Sequence, residues 1–123
     1  MKSNTVGWFE IYVQDIDRAK NFYESVFQLK LDKLDSPGME MWTFPTDMNL
    51  YGAGGALVKM DGYPSGGNSV LIYFTCDDCS IEESRAVKFG GRIQQNKMAI
   101  GEYGFISLIF DTEGNMIGLH SMQ

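Results

Sequence analysis

One pattern occurs twice along this chain. An alternating stretch runs into a helix-periodic stretch, first as VGWFEIYVQDIDRAKNFYESVF and again as NSVLIYFTCDDCSIEESRAVKFGG. Two copies of one supersecondary unit account for most of 123 residues, so the expected fold is a pseudo-symmetric α+β domain of two modules. In such a domain the cleft between modules is the natural place for a ligand.

The first copy sets the geometry. Residues 6–13 alternate, with Phe9, Ile11 and Val13 on one face and Trp8, Glu10 and Tyr12 on the other, the period of a half-buried strand. Asp15 or Asp17 is placed to cap the helix that follows. Ile16, Ala19, Phe22, Tyr23 and Val26 then recur at helical spacing over residues 16–27 and supply an apolar stripe for the core face of the strand. Short strands follow near residues 29–34, 39–44 and 54–60, divided by turns such as Ser36-Pro37-Gly38. Module one therefore spans about residues 5–60.

Residues 61–68, DGYPSGGN, are rich in Gly and Pro and read as a linker or lid. The pattern restarts in module two, about residues 69–122. A strand is expected over 69–76, then a helix over about 80–89 opened by the S-x-x-E capping box of Ser80 and Glu83 and ended by Gly90-Gly91. Strands near 92–100, 103–111 and 116–122 complete the copy. The last two are joined by Asp111-Thr112-Glu113-Gly114-Asn115, whose Gly and Asn suit a left-handed backbone.

Charge and composition narrow the partners. A net charge of −6 disfavours nucleic acid, because affinity for phosphate backbones comes largely from Lys and Arg. A neutral or cationic small ligand is favoured instead. No run of about 18 apolar residues is present to span a membrane, and MKSNTVGW lacks the apolar segment of a secretion signal, so an uncleaved cytoplasmic chain is expected.

The two cysteines form Cys76-Asp77-Asp78-Cys79. A zinc reading lacks a second ligand pair, since His120 is the only histidine; a redox reading fits a strand-to-helix junction. Against both, Cys76 continues the apolar phase of Val70, Ile72 and Phe74, which makes it a small core residue with Cys79 in the turn. Eight methionines are many for this length, and their flexible thioethers suit either core filling or an adaptable pocket.

The segments FEIYVQDIDRAKNFYESVF and FISLIFDTEGNMIGLHS together resemble the vicinal oxygen chelate superfamily of glyoxalases, bleomycin-resistance proteins and extradiol dioxygenases. Asp15, Phe22, Tyr23 and Phe27 match its strand-helix pattern, and Asp111 to Asn115 match its D-x-x-G-N turn. The resemblance covers nearly the whole chain. It implies two tandem βαβββ modules forming a cup-shaped open barrel, with two chains pairing as a homodimer.

The resemblance also implies where a divalent metal would be held, on the concave faces of the first and last strands of each module. Those positions carry Trp8, Leu71 and Gly118, and the fourth falls within residues 54–60, GGALVKM, which offer no carboxylate, imidazole or amide. A two-residue slip brings in Glu10, but the second module then gains only the weak hydroxyls of Ser69 or Tyr73. No standard metal site is expected and no cofactor.

The candidate binding residues are those of the cup: Trp8, Glu10 and Tyr12, two aromatic walls flanking a carboxylate, with Leu71 and Tyr73 opposite. Tyr103 stands at the rim beside Glu102, and His120 is in phase with Met116 and Gly118. Two functions stay open. One is a metal-free small-molecule binder. The other is a lyase, isomerase or dioxygenase-type enzyme using Glu10 and His120 as base and acid, or as parts of an unusual divalent metal site, if the strands that carry them approach one another.

Overall fold

The computed structural model describes residues 2–123. Module one consists of β1 (Trp8–Tyr12), α1 (Ile16–Phe27), β2 (Asp32–Leu34), β3 (Glu40–Thr43) and β4 (Gly54–Lys59). Module two repeats the order with β5 (Tyr73–Thr75), α2 (Cys79–Lys88), β6 (Arg92–Ala99), β7 (Phe105–Phe110) and β8 (Met116–Ser121). Each module builds its own four-stranded sheet, in the orders β1-β4-β3-β2 and β5-β8-β7-β6. The first strand of each unit pairs in parallel with the last, and the remaining pairs are antiparallel.

The alternation in β1 and the stripe on α1 meet as the sequence implies. Ile11 and Val13 are buried against Ile16, Ala19, Phe22, Tyr23 and Val26, and Asp15 caps α1 by accepting from the Arg18 N–H at 3.0 Å. The core runs through both modules. Phe22, Phe27, Phe44 and Phe74 surround Tyr23, with Phe27 and Phe74 stacked at 4.4 Å, so aromatic packing crosses the module boundary. A smaller cluster of Met41, Ala56 and Val58 packs on the other side of the first sheet with Tyr12 and Met39. The methionines divide accordingly: Met41 fills core, whereas Met48 is 92% exposed.

Three local expectations are corrected. Only Tyr73–Thr75 of residues 69–76 is laddered, and Val70 lies exposed instead of continuing the apolar face. The cap of α2 is Asp78, not Ser80: Asp78 accepts from the Ser80 N–H and hydroxyl and from Lys97 Nζ, while Glu83 is diverted to the Lys97 N–H and the Ser107 hydroxyl. The cysteine roles are reversed, with Cys79 fully buried as the first residue of α2 and Cys76 half-buried. In addition, residues Gly101–Tyr103 form a 3₁₀ turn, so β7 starts later than its pattern suggests.

The modules are clamped by the turn between β7 and β8. Gly114 supplies the left-handed residue, and Glu113 points back into module one. Its carboxylate accepts from the N–H groups of Gln14 and Asp15 at 2.8 and 2.9 Å, from two nitrogens of Arg18 at 2.7 and 3.1 Å, and from Thr112. Burial alone would raise its pKa, but these donors outweigh it and hold the carboxyl at about 2, well below its ordinary 4.5. Beside it Asp111 accepts from Tyr23 at 2.6 Å, and there burial prevails and raises the carboxyl. Asn115 completes the bridge by donating to the Tyr12 carbonyl.

A carboxyl depressed in the folded state stabilises the fold above its unfolded pKa and loses that contribution as pH falls through its folded value. Stability is therefore expected to decline between about pH 4.5 and pH 2, with Asp78, also held at about 2, adding to the same window. Glu113→Gln is expected to cost about 2 kcal/mol at pH 7 and to flatten that decline, because two backbone N–H groups lose a charged acceptor. Chemical denaturation at a series of pH values measures both, and an unchanged pH profile in the variant contradicts the clamp.

Candidate ligand-binding site

A cavity of about 780 Å³ opens between the modules. One wall is β1 from Trp8 to Tyr12, and the other is the run from Ser69 to Tyr73. Linker residues Pro64, Gly66, Gly67 and Asn68 line it further, with Asn115, Met116 and Ile117 from module two. Of the residues proposed from sequence, Trp8, Glu10, Tyr12, Leu71 and Tyr73 all line this space.

Glu10 is the one charged side chain among the lining residues. Trp8 Nε1 donates to one of its oxygens at 3.2 Å and the Tyr12 hydroxyl to the other at 3.0 Å. The alternation of β1 causes this, since residues two apart share a face. The bond to Glu10 is the main reason the Tyr12 hydroxyl is held above its ordinary pKa, with burial second, so Tyr12 remains a donor. Tyr63 of the linker stacks on Tyr12 at 5.4 Å, and the Tyr63 carbonyl accepts from Gln14 Nε2. The site is open to solvent: Trp8 is 46% exposed and Glu10 is exposed as well.

His120 and Tyr103 belong elsewhere. His120 lines a second, open cleft with Thr75, Cys76, Ile100, Ile106 and Met122, and its Nε2 lies 2.6 Å from the Tyr103 carbonyl. Tyr103 thus meets His120 through its backbone while its ring points out, 67% exposed. Glu10 is absent from that cleft and His120 from the first cavity, although Val6, Ala53 and Tyr73 line both, so the structure does not place the two side chains in one cavity. The reason is that β8 joins β5 rather than β1, so His120 sits on an inner strand of the second sheet, paired with Thr75 of β5. The Cys76 thiol in this cleft is pushed up to about 12, chiefly by burial and then by Glu82, the opposite of what a nucleophilic thiolate requires.

The donor set does not fit a divalent metal. The indole of Trp8 is a donor only, Leu71 is apolar, and a Cβ at Gly118 would overlap the Tyr73 ring that lies across it. Among the described residues, no group of three His, Cys, Asp or Glu side chains comes together as a metal centre requires.

The linker and turn contributions were not singled out as site residues from sequence. Pro64, Gly66 and Gly67 give a signal only as part of a Gly/Pro-rich lid, and Asn115 only as a turn residue. Their place at the cavity depends on long-range bonds, from Ser65 to the Glu113 carbonyl and from the Gly66 N–H to Asn115.

Two βαβββ modules around an open cavity define a protein of the glyoxalase-like class. The chain matches the model of the Glyoxalase/Bleomycin resistance protein/Dioxygenase superfamily over residues 5–119, and it belongs to that superfamily. It is 26% identical over 119 residues to the putative glyoxylase CFP32 of Mycobacterium bovis and of Mycobacterium tuberculosis; those 119 residues are 96% of this chain and 46% of each relative, so the chain spans about half their length. Similar folds include a glyoxylase/bleomycin resistance protein/dioxygenase domain from Frankia sp. EAN1pec, with TM-score 0.72, 14% identity and coverage of 99% and 100% of the two chains. TnmS3, an antibiotic binding protein from Streptomyces sp. CB03234, has TM-score 0.70 and 22% identity, with 98% of each chain covered. An E144Q glyoxalase I mutant from Zea mays has TM-score 0.71 and 17% identity, with 94% of this chain and 46% of that chain covered. Among the described residues, no helix is long and apolar enough to cross a membrane.

Proposed function

We propose that the protein is a metal-free small-molecule binder, acting as a cytoplasmic homodimer, that holds a cationic ligand with an apolar or aromatic body between its modules. The observation that carries this is Glu10, the one charged residue lining the cavity, held between Trp8 and Tyr12. An aromatic face beside a carboxylate attracts a cation twice, through the ring quadrupole and through the ion pair. TnmS3, similar in fold, is an antibiotic binding protein, which supports a small-molecule ligand. The poor fit of Trp8, Leu71 and Gly118 to a metal and the separation of Glu10 from His120 favour binding over catalysis.

Dimerisation is supported by uncovered surface. The loop before β4 leaves Met48, Leu50 and Tyr51 at 92, 69 and 90% exposure, and β2 and β6 each end a sheet. Native mass spectrometry reads assembly and metal together. The expected species has twice the 13.8 kDa of one chain and carries no stoichiometric Ni, Zn, Fe or Mn. A monomer contradicts the assembly, and one metal per chain contradicts the metal-free reading.

For the ligand, an aromatic cation such as ethidium is expected to quench Trp8 fluorescence and to bind more weakly as salt rises. Trp8→Phe should remove the response and Trp42→Phe preserve it. Because Glu10 is solvent-exposed, Glu10→Gln is expected to cost about 1 kcal/mol, roughly fivefold in affinity, and not the larger loss of a buried pair. Unchanged affinity in Glu10→Gln contradicts the proposed anchor.

A further inference from the structure

The walls of the cavity are consecutive residues, Trp8 to Tyr12 on one side and Ser69 to Tyr73 on the other. A cavity lying over a sheet face meets every second residue of a strand, so lining by five consecutive residues of β1 places this one along that strand's edge; of the facing wall only Tyr73 belongs to β5, and residues 69–72 lead into it. The topology agrees. β1 ends the first sheet and β5 ends the second, each with one paired side and one unpaired side, and among the described residues no ladder joins them.

The phase of the backbone can be read residue by residue. Val13 donates to the Val58 carbonyl at 2.9 Å, and in a parallel pair alternate residues give both their groups to the same neighbour. Phe9, Ile11 and Val13 thus turn their backbone to β4, and Trp8, Glu10 and Tyr12 turn theirs to the cavity. Asn115 of module two reaches the Tyr12 carbonyl from that side. In module two, Ile72 accepts from the Gly118 N–H and Cys76 donates to the His120 carbonyl, both at 2.8 Å, which leaves Leu71 and Tyr73 turned to the cavity. Beneath the gap the Phe9 and Phe74 rings meet edge to face at 6.3 Å, so side chains rather than backbone bonds connect the two edges.

We infer that this slot recognises an extended peptide backbone: a short peptide, or a small molecule built on peptide bonds, that pairs with the edges of β1 and β5, open here apart from the Tyr12 carbonyl that Asn115 already holds, and sets a basic side chain against Glu10. The inference rests on the proposed binding function of the same cavity and specifies its ligand. The five residues of β1 correspond to an extended chain of about five residues. Strand addition draws affinity from the main chain and specificity from alternate side chains. Here the alternate positions would meet Glu10 with Trp8 and Tyr12 on one face, and Phe9, Ile11 and Ile72 on the other, which selects a basic residue between apolar ones. Linker residues Pro64, Gly66 and Gly67 wall the slot, and this favours a short chain with a free end over a loop of a folded protein.

The test uses an N-acetylated, C-amidated pentapeptide with arginine at its centre and valine on either side, beside the same peptide N-methylated at arginine and at one valine. Expected are binding of the parent, a loss of roughly tenfold or more on N-methylation, and slowed hydrogen exchange at the Glu10, Tyr12 and Tyr73 amides on adding the parent. Equal affinity of the two peptides, or no peptide binding while ethidium still binds, overturns this inference and leaves the binding function intact. Failure of ethidium and peptide alike overturns both. Amides at Glu10, Tyr12 and Tyr73 that are already protected without ligand would mean that the two edges pair with each other, and would also overturn it.

Discussion

A buried carboxylate with five donors holds the two halves of this protein in place. Glu113 belongs to the second module, yet most of its partners, the N–H groups of Gln14 and Asp15 and the Arg18 guanidinium, lie around the start of α1 in the first. Its side chain is fully shielded from solvent, so each donor it loses leaves a polar group unsatisfied. The consequence reaches the site. The same turn carries Asn115, which bonds to the Tyr12 carbonyl and to the Gly66 N–H, so the clamp sets both the gap between β1 and β5 and the course of the linker along it.

Much of the fold was legible because its elements carry strong local periods. Ile16, Ala19, Phe22, Tyr23 and Val26 mark α1 over the span the structure shows, and the alternation of β1 separates Ile11 from Glu10 correctly. Failures came where a tertiary partner outbid a local signal. Ser80 and Glu83 have the form of a capping box, but Lys97 and Ser107 from the second sheet occupy Glu83 and leave the cap to Asp78. Residues 69–72 alternate like a strand, yet β8 engages the run only from Ile72 onward, and Leu71 remains free to line the cavity.

The site was legible in part for the same reason. Trp8, Glu10 and Tyr12 are local neighbours on one strand, so their meeting follows from period alone. The relation of Glu10 to His120 depends on which strand β8 joins, and spacing carries no such information. The linker residues at the cavity are placed by bonds spanning about fifty residues, beyond the reach of any pattern in the chain.

The superfamily scaffold is thus kept, while Trp8, Leu71 and Gly118, where the resemblance would place metal ligands, carry no side chain suited to that role. Gly118 is the clearest case, because the space a ligand side chain would need is filled by the Tyr73 ring. What remains is a slot with one carboxylate and apolar walls between two strand edges. The most direct measurement is a crystal structure with an aromatic cation bound. The account expects the cation between Trp8 and Tyr12, with its charge against the Glu10 carboxylate; a ligand seated in the His120 cleft, with the space between β1 and β5 left empty, would contradict it.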